Sequence, residues 1–592
     1  HNERSLKIFT AAFSCDQCKY IHLFFISHLI VFCAQTLLLV YRITIVKAIV
    51  IMPKIYFVGV DVGTSSARAA LVTSDGKVLK QAVRTLKIWN SEQDHFEQSS
   101  DDIWQAVCCC VTADVSMLYK VVAISFDATC SLVVLGADGE PLSVSNSRRC
   151  EQNVMLWMDH RAHAEAEEIN ATQHELLRFV GGQVSVEMEM PKLLWLKKNA
   201  FLSTWTKLWR AFDLPDFLTW RSTGSESRSL CSVVCKWNFD ATQMSWSDGF
   251  LRQIGLEDLC ANDFEIIGKT IKPPGAAVGK GLSPEAAKEL GLLPGTVVGT
   301  SLIDAHAGAL ALFGCRAANE TATERQGELQ GKLALICGTS TCHMSLTREA
   351  CVARGVWGPY RGAILPLYSL NEGGQSATGL LLDHVIKTHP QYMHIQKKHI
   401  YAYLNKLLLK MATERGLKDS CFLTKDLHVW PDFHGNRSPI ADVNLRGMVT
   451  GLSMNDDEES LATLYLAFVQ ALAYGTRHII DNLLQHKRVA FSTLLFCGGL
   501  AKNSVYVQSH ADVCQLPAVV PHEQEMVLVG AAMLGACAAR VYASLEEASN
   551  AMGGSGKMIR PNEQTQEYHN RKYSVFLNML DHQRKYKSIM YT

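Results

Sequence analysis

Short apolar runs, each closed by glycines and hydroxyl residues, recur along the chain. Ile55 to Val62 is β-branched and aromatic and predicts a buried strand. Gly63-Thr64-Ser65-Ser66 follows as a tight turn, and Ala67 to Val72 returns as a second apolar run. Asp75-Gly76 marks another hairpin turn before Val78-Leu79. The same design stands again in the other half: an apolar run ending at Cys337, the turn Gly338-Thr339-Ser340, and an apolar return to Leu346. Val121 to Ile124, Ser131 to Leu135, Thr296 to Ile303 and Leu494 to Cys497 predict further strands. Trp104 to Leu118, Met190 to Lys197 and the small-residue run from Asp304 predict helices. Leu461, Leu464, Phe468, Leu472 and Ile479 keep helical spacing behind a polar start at Ser453 to Glu459. Strands and helices alternate in both halves, which is the α/β class.

Composition adds bounds. The chain has 592 residues, 48% of them hydrophobic, enough for two or more domains. With 57 basic and 57 acidic residues the formal net charge is zero, so nothing favours a nucleic-acid partner. The 19 cysteines are odd in number and scattered through apolar runs, which points to reduced thiols and a cytoplasmic compartment. Cys15-x-x-Cys18 alone has metal or redox spacing, and one such pair is weak evidence. Residues 1–52 stand outside the pattern. Positions 21–41 are apolar and long enough to span a bilayer, so this segment is either an anchor or an extension arising from the gene model. The second is expected, because Met52-Pro53 directly precedes the first strand. Residues 53–300 are expected to form one domain and 301–592 another, the second ending in a helical cover. Cys315 to Lys332 reads as a mobile polar insertion.

The chemistry concentrates at the turns. A hairpin turn of small residues exposes N–H groups and hydroxyls, which phosphate needs, and Asp61 stands at its mouth, where Mg²⁺ needs a carboxylate. Two such hairpins facing one cleft would bracket a nucleotide, as in the actin/hexokinase/Hsp70 superfold. Asp304 lies where a strand stops and a helix starts. Its carboxylate is expected to cap that helix, whose dipole favours the ionised form, and could accept a proton from an attacking hydroxyl. A plain capping role is the alternative. Gly498-Gly499 ends a strand where a flat base could lie against backbone, and Asn503 could orient that turn. His306 and the tryptophans, Trp157 and Trp195 among them, are expected to be packing or cleft wall.

Several motifs together resemble the FGGY carbohydrate-kinase family over residues 53 to 585: GVDVGTSSARAAL, FDATCSLVVL, WMDHRA, PKLLWLKKN, SLCSVVCKWNF, DAHAGALA, ICGTSTCHM, NEGGQSATG, FHGNRSPIADVNLRGMVTGL and FCGGLAKN. The likeness is strongest to its ribulokinase-like branch. It implies a two-domain, ribonuclease H-like fold with an interdomain cleft, and ATP with Mg²⁺ as cofactors. It implies Asp304 as general base and Asp61 as the Mg²⁺-associated carboxylate. Thr64, Ser65, Arg68, Gly338, Thr339, Gly498, Gly499 and Asn503 are implied on the nucleotide. Lys236, Asp304 and Glu372 are implied on the sugar, with Asp127, Asp159 and His160 on the same side. Arg437, Asp442, Arg446 and Gly447 fall in a signature expected to be structural. The activity implied is phosphorylation of a pentulose, D-ribulose first, by a monomer or homodimer. A weakly catalytic sugar sensor and an ATP-driven scaffold on the same superfold are the alternatives.

Overall fold

The computed structural model describes residues 55–591 except 91, 115–119, 200–201, 318–328 and 396–398. The extension, its apolar stretch at 21–41, Cys15-x-x-Cys18 and most of the 315–332 insertion lie outside the described residues. Among the described residues no helix is long and apolar enough to cross a membrane.

Two sheets carry the fold. The first contains β1 (Tyr56–Val62), β2 (Ser66–Thr73), β3 (Val78–Thr85), β4 (Val121–Ala128) and β5 (Val297–Ile303), in the order β5-β4-β1-β2-β3. β1 to β3 form antiparallel pairs, while β4 and β5 run parallel to β1. The second sheet contains β6 (Arg316–Ala317), β7 (Lys332–Cys337), β8 (Thr341–Thr347), β9 (Trp357–Arg361), β10 (Ser369–Gln375), β11 (Thr493–Cys497), β12 (Ala518–Pro521) and β13 (Ser555–Ile559). Its central order, β12-β11-β7-β8-β10, repeats that of the first sheet, with β7, β8 and β10 antiparallel and β11 and β12 parallel. The repeated hairpins of the sequence are thus the first two strands of two sheets of like topology. This is the two-domain actin/hexokinase-like fold.

β1 is buried at every position, as its unbroken apolar run requires of a central strand covered on both faces. Helix α1 (Ser100–Asp114) packs on β2 and β3. Helix α2 (Leu230–Lys236) packs on β5 and β9. Helix α3 (Asp304–Gly314) follows β5 without a loop, and helix α6 (Met526–Ala538) packs against α3 and across β1, β4 and β5. Small residues let these surfaces meet. A Cβ on Gly59 would stand 2.1 Å from Leu528 O, and one on Gly530 would stand 2.0 Å from Ala307 O. Helix α4 (Glu458–Gln485) buries the predicted stripe of Leu461, Phe468, Leu472 and Ile479, and helix α5 (Ser504–Cys514) packs along it. The boundary expected at residue 300 falls inside β5, because Val297–Ile303 is the edge strand of the first sheet. The chain leaves that sheet only through α3.

Candidate active site

The two Gly-Thr-Ser turns are built alike. Gly63 N donates to Ser66 O at 3.0 Å, and Gly338 N donates to Ser340 O at 2.8 Å. Each closes a hairpin between two antiparallel strands. Both turns line one cavity of about 410 Å³, together with Gly498 and Gly499 at the end of β11. Gly498 has φ +91°, and a Cβ there would meet Cys337 O at 2.4 Å, so only glycine suits this turn. A Cβ on Gly499 would meet open space. Thr64, Ser65, Thr339 and both glycines line this one cavity.

Three carboxylates gather at the carboxyl ends of β1, β4 and β5. Asp61 and Asp127 are register partners, and Arg68 stands opposite Asp61 on β2. Arg68 pairs with Asp61 and, at 3.0 Å, with Glu525. It lines the cavity, but two carboxylates already hold it, so it orients Asp61 rather than standing free for phosphate. Asp61 Oδ1 is buried without a hydrogen-bond partner. That orphaned oxygen fits an acceptor reserved for a cation or its water.

Asp304 lines the same cavity. It does not cap α3: Ile303 holds the cap position, Asp304 is the first helical residue, and Oδ1 accepts from Ala305 N at 2.6 Å. Burial and the neighbouring Asp61 push its carboxyl up to about 7, against the Ala305 N–H, Arg68 and Lys236. Burial and charge repulsion therefore outweigh the helix dipole expected to keep it ionised. A carboxylate so placed is a better base than an ordinary aspartate.

The far end of the cavity is lined by alternating charges. Lys236 Nζ lies 3.6 Å from Glu372 Oε2 and 4.3 Å from the centre of the Trp357 ring. Arg437 Nη2 donates to Glu187 Oε1 at 2.8 Å, and its guanidinium lies 5.9 Å from Trp157 and 5.6 Å from Trp357. Burial alone would raise the Glu187 carboxyl, but Arg437 and Lys236 outweigh it and hold it below its ordinary value. Trp157 Nε1 donates to Thr64 Oγ1 at 3.0 Å, tying this wall to the first phosphate turn. Arg437 is therefore a cavity residue and not only a structural one. Glu187, its partner, sits in an irregular segment with no periodicity to mark it.

Four expected site residues lie elsewhere. Asp127 is buried behind Asp61. Burial, Asp61 and Asp304 push its carboxyl well above the usual range. Asp159 is consumed by Arg161, which donates from Nε and Nη2, and by Phe96 N at 2.8 Å. His160 stacks on His434 at 6.0 Å, outside the cavity. Asn503 caps α5, accepts from Asn405 Nδ2 at 3.0 Å and donates to Tyr465 Oη at 2.7 Å, and it does not line the cavity.

A two-domain α/β fold whose paired Gly-Thr-Ser turns, Asp304 and polar recess share one cavity fits a phosphotransferase with an alcohol acceptor. Residues 56–311 match the N-terminal domain of the FGGY family of carbohydrate kinases, and residues 333–539 match its C-terminal domain. The chain belongs to that family. It is 49% identical over 549 residues to the FGGY carbohydrate kinase domain-containing protein of Homo sapiens, covering 91% of this chain and 98% of that protein. It is 39% identical over 520 residues to a D-ribulokinase of Saccharomyces cerevisiae, covering 82% of this chain and 72% of that protein. Among solved structures, xylulose kinase from Rhodospirillum rubrum superposes with a TM-score of 0.72 at 18% identity, covering 90% of this chain and 99% of that one.

Proposed function

We propose that this carbohydrate kinase transfers the terminal phosphoryl group of ATP to the terminal hydroxyl of a pentulose, D-ribulose first among them. The observation that carries this reading is the position of Asp304. It lines one cavity with both phosphate turns and with the Lys236–Glu372 pair. The likeness to the yeast D-ribulokinase supports the choice of sugar.

In this reading residues 53–303 form the sugar-side domain and residues 304–592 the nucleotide side. Lys236 and Arg437 donate to sugar oxygens, Glu372 and Glu187 accept from sugar hydroxyls, and the tryptophans cover the carbon face. Asp304 takes the proton of the attacking hydroxyl. Ser65, Thr339 and the N–H groups of the two turns receive the phosphates, and Gly499 leaves room for the adenine. In-line transfer needs this positioning and charge compensation more than covalent chemistry. Asp61, with its unpartnered Oδ1, would hold Mg²⁺ through water, and the ion would supply charge neutralisation on the phosphate oxygens.

The test is ADP release with Mg-ATP across a panel of pentuloses and polyols, with Asp304→Asn alongside. Turnover with D-ribulose that the variant loses is the expected result. A folded, ATP-binding protein that turns over no pentulose would sink this reading in favour of a sugar sensor.

A further inference from the structure

Behind the sugar recess lies a second cluster that phosphoryl transfer does not use. Cys231 and Cys235 stand four residues apart on α2, so both thiols fall on one face of the helix. His306, two residues into α3, meets them there: Cys235 Sγ lies 3.5 Å from His306 Nε2. The two sulfurs and the imidazole nitrogen all lie within 4.8 Å of one another, and all three residues are buried. Around a tetrahedral Zn²⁺, bonds of about 2.0 Å to nitrogen and 2.3 Å to sulfur put ligand atoms roughly 3.5–3.8 Å apart. The Cys235–His306 separation already fits, and the other separations lie within 4.8 Å.

Two further observations point to a ligand. Glu372 Oε2 is buried, has no hydrogen-bond partner, and lies 3.6 Å from His306 Nε2, on the open side of the cluster. His306 Nδ1 is likewise buried and unpartnered. Two thiols and an imidazole select a soft or borderline d¹⁰ cation over Mg²⁺, which prefers oxygen.

We propose that Cys231, Cys235 and His306 form a binding site for a cation of the zinc class, and that its occupancy inhibits the kinase by drawing Glu372 off Lys236. Glu372 lines the cavity and also lies 3.6 Å from His306 Nε2, so it stands between the cavity and the cluster. On binding, each thiol releases its proton to solvent and ligates as thiolate, while His306 ligates neutral. The cation and Lys236 then compete for one carboxylate. The inhibitory half rests on the sugar-side role of Glu372 proposed above; the binding half does not.

Cobalt titration of the reduced, metal-stripped full chain tests it. One equivalent should produce the thiolate charge-transfer and tetrahedral d–d bands, and zinc should abolish them. Cys231→Ser, checked for folding by circular dichroism, should weaken cobalt binding at least about tenfold, the lower bound for losing even an outer partner of a metal ligand. Cys235→Ala is read in the same way should Cys231→Ser not fold. Wild-type protein without bands, or bands unchanged in the variants, overturns the site. Stoichiometric zinc should inhibit sugar-dependent ADP release in wild type and spare Cys231→Ser, whose basal rate is unchanged. Binding without inhibition overturns the inhibitory half. A protein inactive on every pentulose refutes the kinase reading, while the cobalt bands still decide the site.

Discussion

At the scale of single residues, charge and burial decide which polar side chains do chemistry. Asp61, Asp127, Asp159 and Asp304 are the same residue type, yet Asp61 is paired with Arg68, Asp159 with Arg161, Asp127 lies off the cavity, and Asp304 lines the cavity with a carboxyl pushed up to about 7. A general base works when deprotonated, so kcat/KM should fall as pH drops through about 7 and level off above it. Magnesium adds positive charge nearby and shifts that limb lower. Asp304→Asn should lose the limb and lower kcat by about 10²–10⁴ while sugar still raises the melting temperature. A variant that retains the acid limb would show that another group takes the proton. Arg437 yields a second prediction. Arg437→Met leaves Glu187 buried without its partner, which should cost about 3–5 kcal/mol in urea unfolding. Adding Glu187→Gln should recover part of that loss, and no recovery would mean the pair is not coupled. Asp304 was legible from the strand-to-helix boundary at which it stands, whereas Lys236 and Glu372 were singled out only by the motifs VCKW and NEGGQS that carry the family likeness. Glu187 was not, since an irregular segment carries no period. Asp159 and Asn503 misled because an aspartate bound to arginine and an asparagine capping a helix look the same in sequence as ligand-facing ones.

At the scale of elements, glycines separate packing from binding. Hydrophobic periodicity made β1, β5, α3 and α4 legible, because strands covered on both faces and long amphipathic helices leave strong patterns. It could not tell that Val297–Ile303 closes the first sheet, since a strand's partner depends on long-range pairing. Nor could it tell that α6, more than two hundred residues downstream, packs on that strand and on β1. Gly59 marks that contact. Gly59→Ala drives a methyl into the Leu528 carbonyl and should destabilise by about 1–3 kcal/mol, read by denaturation, with little change in KM for either substrate. Gly499→Ala should do the opposite. Its Cβ meets no protein atom, so stability should hold while the KM for ATP rises because the methyl takes space in the cavity. Should Gly499→Ala leave the ATP KM unchanged, the nucleotide does not lie on the diglycine.

At the scale of the whole molecule, the active site is distributed between two sheets of the same topology. Each sheet contributes a Gly-Thr-Ser turn from the same place in its strand order, and Asp304, the proposed base, comes from the link between them. At the sugar end, ion pairs join the halves: Glu187 and Lys236 precede that link, and Arg437 and Glu372 follow it. A sugar that hydrogen-bonds to members of both pairs is held by both halves at once. A nucleotide that touches both turns adds a second bridge. Binding both substrates should therefore draw the halves together and exclude water, which would otherwise accept the phosphoryl group. Small-angle scattering checks this: sugar with a non-hydrolysable ATP analogue should lower the radius of gyration, and either ligand alone should lower it less. Glu372→Gln weakens one bridge and should reduce the sugar-dependent part while sparing the nucleotide-dependent part. An unchanged radius with both ligands bound would mean that the cleft is already closed, and that Asp304 alone, without any domain motion, discriminates a sugar hydroxyl from water.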